Sequence, residues 1–377
     1  MERLYRWGPE IAVMAAICCM QLHMAWWAAR RHPQRILWIR LALAAAWLYF
    51  FVALLLRTAR FGPLVDPWWG AWVRGGALMF GLCTGVFYCA WLLWSRVQHF
   101  SPERRGLLRA AHTAMVAAPL AATGFGIAVS RRFVLTEVEL PVKDLPADLN
   151  GLRIVQLSDI HLGPFLDERD VAYVVDMANE TRAHLAVVTG DLISGKEDPL
   201  EACIKQCARL RSDAGILACH GNHEVYAGVI DAATQWGENR GIHFLRHANR
   251  QLRFGSAVLN VAGVDYQRFF RPYLVGAEEL AVPGAVNLLL SHNPDVLPVA
   301  AQKGFQTVLA GHTHGGQVSF EILESHVNVA RIFTPYVYGR YISGPSSLYV
   351  TRGIGTIGMP VRLGAPPEVA LIRLCAS

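Results

Sequence analysis

The chain has 377 residues, 53% of them hydrophobic and only 17% charged, with a formal net charge of +6. It is too long for one ordinary domain and too apolar on average for a wholly soluble protein. The positive charge flanks apolar runs (Arg30, Arg31, Arg35, Arg40, Arg96, Arg104, Arg105, Arg109) and forms no basic stripe with a nucleic-acid module, so no nucleic-acid partner is expected and a membrane flank is.

Four apolar runs come first, at residues 9–29, 36–56, 75–94 and 110–129, each near the ~20 residues a helix needs to cross a bilayer. The first ends in the basic stretch Arg30 to Arg35. Trp68, Trp69 and Trp72 precede the third as an interfacial aromatic belt. The fourth is the weakest, because it holds His112, Thr113, Pro119, Gly124 and Gly126. Any one run could be a buried soluble helix; four in succession predict a multi-pass transmembrane α-helical region over residues 1–131. No small-residue cleavage site follows the first run, which argues against a removed signal peptide. Positive charge is densest between the first two runs and between the last two, which puts those loops in the cytoplasm and the C-terminal part outside it.

From Arg132 the pattern changes. Residues 133–140 alternate like an opening strand, and a connector with Pro141 and Pro146 follows. Short apolar strand-like runs then appear at 152–157, 185–188, 216–218, 258–262, 286–290, 307–309, 348–350 and 369–371. Helical patterns lie between several of them, as at 170–181, where Val171, Val174, Val175 and Ala178 share one face. This alternation predicts an α/β domain over residues 132–377 with largely buried sheets. The eight cysteines contain no Cys-x-x-Cys pair, so neither a zinc knuckle nor a thioredoxin-like motif is signalled.

Five polar clusters follow directly on predicted strands, where loops of an α/β sheet converge on ligands. They are Asp159-Ile160-His161, Gly190-Asp191, Gly221-Asn222-His223-Glu224, Ser291-His292-Asn293-Pro294 and the run from Gly311 to Gln317, which carries His312 and His314. Asp159, His161, Asp191, Asn222, His292, His312 and His314 together make a mixed oxygen and imidazole donor set. Such a set suits Mn, Fe, Zn, Co or Ni rather than an all-oxygen calcium site. Seven donors exceed one tetrahedral site and fit two metals sharing a carboxylate. Singly, Gly-Asp, Asp-x-His and a lone His292 are common as turns or structural histidines, while Gly-Asn-His-Glu is more specific and Gly-His-Thr-His-Gly-Gly more so again; it is their joint order that carries the reading. Asn293, Asp265 and Arg352 are further candidates for substrate contact. No Gly-x-Ser-x-Gly elbow supports a serine nucleophile at Ser158.

The ordered set resembles the calcineurin-like metallophosphoesterase superfamily over residues 152–374. The strings Gln156 to Gly163 and Gly311 to Gln317, with the tail Arg352 to Thr356 and Pro366-Pro367-Glu368, are similar to its bacterial membrane-associated branch of phosphodiesterases and UDP-2,3-diacylglucosamine pyrophosphatase-like enzymes. The resemblance implies two mixed β-sheets in a sandwich flanked by helices. It implies Asp159, His161 and His314 on a first metal, Asn222, His292 and His312 on a second, and Asp191 bridging both. His223 would touch phosphate and protonate the leaving group, with Asn222 also binding substrate, and Glu224 would orient the loop, tune His223 or form a salt bridge. The implied activity is hydrolysis of phosphodiester or pyrophosphate bonds by metal-activated hydroxide at the cell (inner) membrane, on a substrate that extends to lipid-linked esters, with manganese among the candidate ions. No protein partner is read. The alternative is a degenerate scaffold of the same fold, which should have lost ligands, and none is missing.

Overall fold

An apolar segment can leave water only if its backbone bonds to itself, and the N-terminal runs do so as long helices. These are α1 (Glu2–Arg31), α2 (Ile36–Leu55) and α3 (Pro67–Arg96). All three are long and apolar enough to cross a membrane, over Ala12–Arg30, Pro33–Leu55 and Trp68–Leu93. The computed structural model describes residues 2–56, 67–96, 121, 123–268, 271–322 and 325–377. The expected fourth span, 110–129, lies mostly outside these residues. α3 starts earlier than expected: Trp68, Trp69 and Trp72 occupy its opening turns rather than a loop before it. Pro67 explains this, since its fixed φ suits a first helical position and its missing N–H has no helical partner to lose.

The chain divides into two compact units, Met1–Gly126 with Gly358–Pro360, and Ile127–Ile357 with Val361–Ser377. In the first, Phe50, Ala53 and Ala77 form a small core with Met14, Ile17 and Tyr49. Gly81 lets α3 approach closely, because a Cβ there would lie 2.7 Å from Ile17 Cδ1. Polar groups within the bundle pair across helices, His23 with Tyr88 at 2.8 Å and Trp47 with Gln21 at 3.1 Å.

The second unit begins with β1 (Val134–Val142), β2 (Arg153–Leu157), α4 (Glu168–Glu180), β3 (Leu185–Thr189), α5 (Leu200–Cys207) and β4 (Ile216–Cys219). Next come α6 (Asn222–Ala227), α7 (Ile230–Glu238), β5 (Ile242–Phe244), β6 (Ala248–Phe254) and β7 (Ala257–Gly263). It ends with β8 (Val286–Leu290), α8 (Leu297–Gln302), β9 (Thr307–Ala310), the hairpin β10 (Ser319–Ile322) and β11 (Ser325–Asn328), β12 (Gly339–Ser343), β13 (Ser346–Val350) and β14 (Glu368–Ala376). α4 shows how local sequence sets its ends. Asp167 accepts from the N–H groups of Arg169 and Asp170, and Asp170 returns a bond to the Asp167 N–H, a reciprocal cap.

Two six-stranded mixed sheets result, in the orders β1-β14-β2-β3-β4-β5 and β12-β13-β9-β8-β7-β6. Strands β2 to β5 run parallel, as do β7, β8, β9 and β13, so their carboxyl ends gather along one edge of each sheet. Alternation along each strand sorts the core into layers. Ile154, Leu185, Val187 and Leu217 face Leu259, Val261, Leu288 and Leu309 between the sheets. Val155, Ala186, Val188 and Ala218 face outward onto α4, α5 and α7, while Leu289, Val308 and Leu348 face α8. The fold is thus three apolar N-terminal helices followed by an α/β sandwich of two mixed sheets.

Candidate metal centre

The five polar clusters all sit at the carboxyl ends of parallel strands, three from one sheet and two from the other. Backbone bonds zip these loops together. Asp159 and His161 donate to Gly190 and Asp191 carbonyls (3.0 and 3.1 Å), and Gly311 donates to the His292 carbonyl (3.1 Å). Two side chains tie sheet to sheet: Gln156 Nε2 donates to the Ala310 carbonyl (3.0 Å), and both Asp159 oxygens accept from the His312 N–H (3.0 and 3.1 Å). The turns are tight enough that Asp159, His161, Asp191, His312 and His314 all adopt positive φ. For non-glycine residues this costs on the order of 1–3 kcal/mol each, and such strain concentrates at functional sites. Gly221 is fixed by space rather than by φ, since a Cβ there would stand 2.1 Å from Asp191 Oδ1.

The convergence yields interlocking groups of potential metal ligands. Asp159, His161 and His314 offer donor atoms within 4.8 Å of one another, as do Asp191, His292 and His312, and likewise His161, Asp191 and His223. His161 and His314 point Nε2 at Nε2 across 3.1 Å, and Asp191 Oδ2 lies 3.5 Å from His161 Nε2 and 3.0 Å from His292 Nε2. Nδ1 of three of these rings is used for support. His292 Nδ1 donates to the Thr189 carbonyl (2.7 Å), His314 Nδ1 faces the Gly355 carbonyl (3.4 Å), and His161 Nδ1 pairs with Ser194 Oγ (2.9 Å). Such bonds fix ring orientation and leave Nε2 for a metal.

Within the cluster Asn222 Oδ1 is buried without a hydrogen-bond partner, while His292 Nε2 faces Asp191 Oδ2 at 3.0 Å. Buried polar atoms are nearly always satisfied, so such an orphan in a carboxylate and imidazole cluster fits a cation. Electrostatics agrees. Burial pushes His161 and His312 down to about 3 and His314 well below its ordinary value, keeping these imidazoles neutral and ligand-competent. Burial opposes charge on His292 too, but the carboxylates of Asp191 and Asp159 outweigh it and raise the ring to about 10. Burial pushes Asp191 up, yet His292, His161 and His223 hold it below the usual carboxylate range.

Glu224 resolves the roles left open for it. Among the described residues it forms no ion pair; its carboxylate accepts from the N–H groups of Leu192 (2.7 Å), Gly221 (2.8 Å) and Asp191 (3.0 Å), binding the Asp191 and Asn222 loops together. His223 donates its backbone N–H to Asp191 Oδ1 (2.9 Å), and its Nδ1 donates to the Ser194 carbonyl (2.7 Å).

Among the weaker candidates, Arg352 is engaged with Glu368 (Nε to Oε2, 2.7 Å) and with Thr136 (2.9 Å). Asp265 pairs with Arg246 (3.2 Å), and Asn293 donates to the Gln267 carbonyl (2.8 Å) and caps Asp295. These contacts are structural.

Several contributors escaped the sequence reading. Ser194 supports both His161 and His223, and Asp198 holds Ser194 by accepting its N–H (3.0 Å). Arg362 is fully buried and donates to the carbonyls of Arg352 (2.7 Å), His314 (2.9 Å), Ala365 (3.2 Å) and Gly355. Tyr266 lies beside His312 and His292, with ring centroids 5.5 and 6.2 Å away. A lone Ser, Arg or Tyr outside a motif gives no local signal.

Residues 152–316 match the family model described as calcineurin-like phosphoesterase. A transmembrane protein with metallophosphoesterase domain from Danio rerio is 30% identical over 253 residues, covering 64% of this chain and 57% of that one. Its counterpart from Bos taurus is 29% identical over 309 residues, covering 76% and 67%. An uncharacterized metallophosphoesterase of Aquifex aeolicus is 33% identical over 237 residues, covering 59% of this chain and 85% of its own length. The chain therefore spans little more than half of the fish relative and about two thirds of the bovine one.

Proposed function

The chain belongs to the calcineurin-like metallophosphoesterases, and from that premise we propose that it is a membrane-anchored hydrolase of phosphodiester or pyrophosphate bonds that works with two divalent ions. The observation that carries this reading is the set of interlocking ligand groups, two of which meet at Asp191, with Asn222 Oδ1 buried and unpartnered beside them.

In this reading Asp159, His161 and His314 would hold one ion, Asn222, His292 and His312 would hold the other, and Asp191 would serve both. The mixed oxygen and imidazole set favours Mn, Fe, Zn, Co or Ni. Bound there, such a pair supplies Lewis acidity toward phosphoryl oxygen and water. The chain's own residues do the rest. With Oδ1 as its donor to an ion, Asn222 would have its Nδ2 left to donate to a phosphoryl oxygen. His223 is anchored through Nδ1 on the Ser194 carbonyl, so Nε2 is the nitrogen that delivers a proton to the departing oxygen. Glu224 keeps the Asp191 and Asn222 loops in register while charge moves.

The finer points rest on the first unit. We read residues 1–131 as the membrane region and 132–377 as the phosphoesterase domain. Three apolar helices on the same chain favour a lipid-linked or amphipathic ester as substrate. The arginine distribution favours an extracytoplasmic site.

The deciding experiment is hydrolysis of bis-p-nitrophenyl phosphate by the full-length protein, with Mn²⁺ and with chelator, alongside Asp191→Asn. Mn²⁺-dependent turnover abolished by the substitution is expected. A protein that binds two ions and turns over neither this diester nor a phosphatidyl or UDP-sugar lipid would refute the hydrolase reading. Preference for the soluble diester over the lipids would remove the lipid-linked substrate alone.

A further inference from the structure

An arc of rings borders the ligand cluster, and the chemistry above leaves its two tyrosines unused. His161 meets His223 edge-on at 4.7 Å, and His223 meets Tyr226 at 6.0 Å. Tyr226 meets Tyr266 at 6.3 Å, and Tyr266 closes the arc on His312 at 5.5 Å. Tyr226 is 65% exposed although it adjoins a buried centre, so its ring is available to a ligand. Tyr266 is half-buried. Burial, then the neighbouring Tyr226 and Asp191, push its phenol above the ordinary value, so it stays a neutral hydroxyl.

The charge of this rim matters for what it can take. Among the described residues, the arginines that approach the cluster are committed elsewhere, Arg362 to backbone carbonyls and Arg352 to Glu368. A dianionic phosphomonoester is best held by a guanidinium fork. A monoanionic diester carrying a flat ring needs instead a neutral π surface beside the phosphorus, and aromatic rings supply that by offset or edge-to-face packing.

We propose that Tyr226 and Tyr266 form a subsite for a planar ring, aryl or nucleobase, carried by the ester group next to His223, so that the centre selects ring-bearing diesters. This rests on the phosphoesterase reading and adds the chemical class of its substrate.

The test uses full-length, Mn²⁺-loaded protein in detergent and two non-hydrolysable monoanions, diphenylphosphinate and dimethylphosphinate, titrated calorimetrically against empty-micelle blanks. Wild type is expected to bind the diphenyl compound about 3- to 10-fold more tightly, the range of one aromatic contact. Tyr226→Ala should bring the two within about 2-fold with both metals retained, and Tyr226→Phe should keep the preference. A wild-type ratio near one, no binding of either compound, or a ratio that survives both Tyr226→Ala and Tyr266→Leu would overturn the proposal. Because phosphinates bind without turnover, failure to hydrolyse bis-p-nitrophenyl phosphate would count against the hydrolase reading and leave this result standing.

Discussion

Replacing Glu224 with Gln changes one atom in a fully buried carboxylate that accepts three backbone N–H groups. Oε2 serves Asp191 and Gly221 together, and Oε1 serves Leu192. Gln keeps one acceptor, so its least costly pose leaves oxygen on the Asp191 and Gly221 side and turns NH₂ toward the Leu192 N–H. One charge-assisted bond is then lost, worth about 1.5–3 kcal/mol, and the two that survive lose their charge assistance. A net local destabilisation of roughly 2–4 kcal/mol follows, a factor of about 30 to 900 in the opening equilibrium. Amide hydrogen exchange reads this directly: protection of Asp191, Leu192 and Gly221 should drop by that factor, while β8 and β9, which Glu224 does not touch, stay protected. Metal uptake should weaken as well, because both loops it joins carry candidate ligands. Unchanged protection at these three amides would refute the view that Glu224 holds the loops.

Gly221→Ala places a Cβ 2.1 Å from Asp191 Oδ1; metal content measured by mass spectrometry should fall sharply, and full retention of two ions would contradict the close approach. Arg362→Met removes the buried guanidinium that donates to the carbonyls of His314, Gly355, Arg352 and Ala365, and each charge-assisted bond lost costs about 1.5–3 kcal/mol. Calorimetric metal titration should then show the Asp159, His161 and His314 group weakened first, and two unaltered binding events would oppose this. His223→Ala should reduce turnover of alkyl diesters by about 10²–10⁴ and of nitrophenyl esters much less, since a good leaving group needs no proton; equal losses would remove the general-acid role. His220, stacked on Phe244 at 4.4 Å, is lowered to about 3 by burial, then by Arg246. Its folded pKa is depressed, so its contribution is whole above about pH 6.5 and lost as pH falls toward 3, reaching about 2 kcal/mol by pH 5. The stability gap between wild type and His220→Gln should therefore narrow by that amount between pH 7 and 5, and parallel curves would contradict it.

The buried strands announce themselves because a strand covered on both faces is a continuous apolar run, as Leu185–Thr189 and Val286–Leu290 are. The edge strands β5 and β6 do not. β6, Ala248–Phe254, carries exposed Asn249, Arg250 and Gln251, and β5 spans only Ile242–Phe244, so neither has a periodic apolar signal. The start of α3 was hidden for a related reason, since tryptophans fit an interfacial loop and a helix turn equally well.

By itself the sequence picked out the candidate ligands, because aspartates, histidines and glycines clustered in this order behind apolar strands make a joint pattern that turns and lone structural histidines do not. It determined too that two different solvent problems share one chain. Only the tertiary structure decided which side chains meet. His161 and His314 face each other from 153 positions apart, and His292 reaches the Thr189 carbonyl across 103. Such meetings depend on strand order and on how the two sheets pack, which no local run of residues encodes. The same holds for Ser194, Glu224, Arg362 and the Tyr226–Tyr266 rim. Their roles come from the groups that long-range packing sets against them.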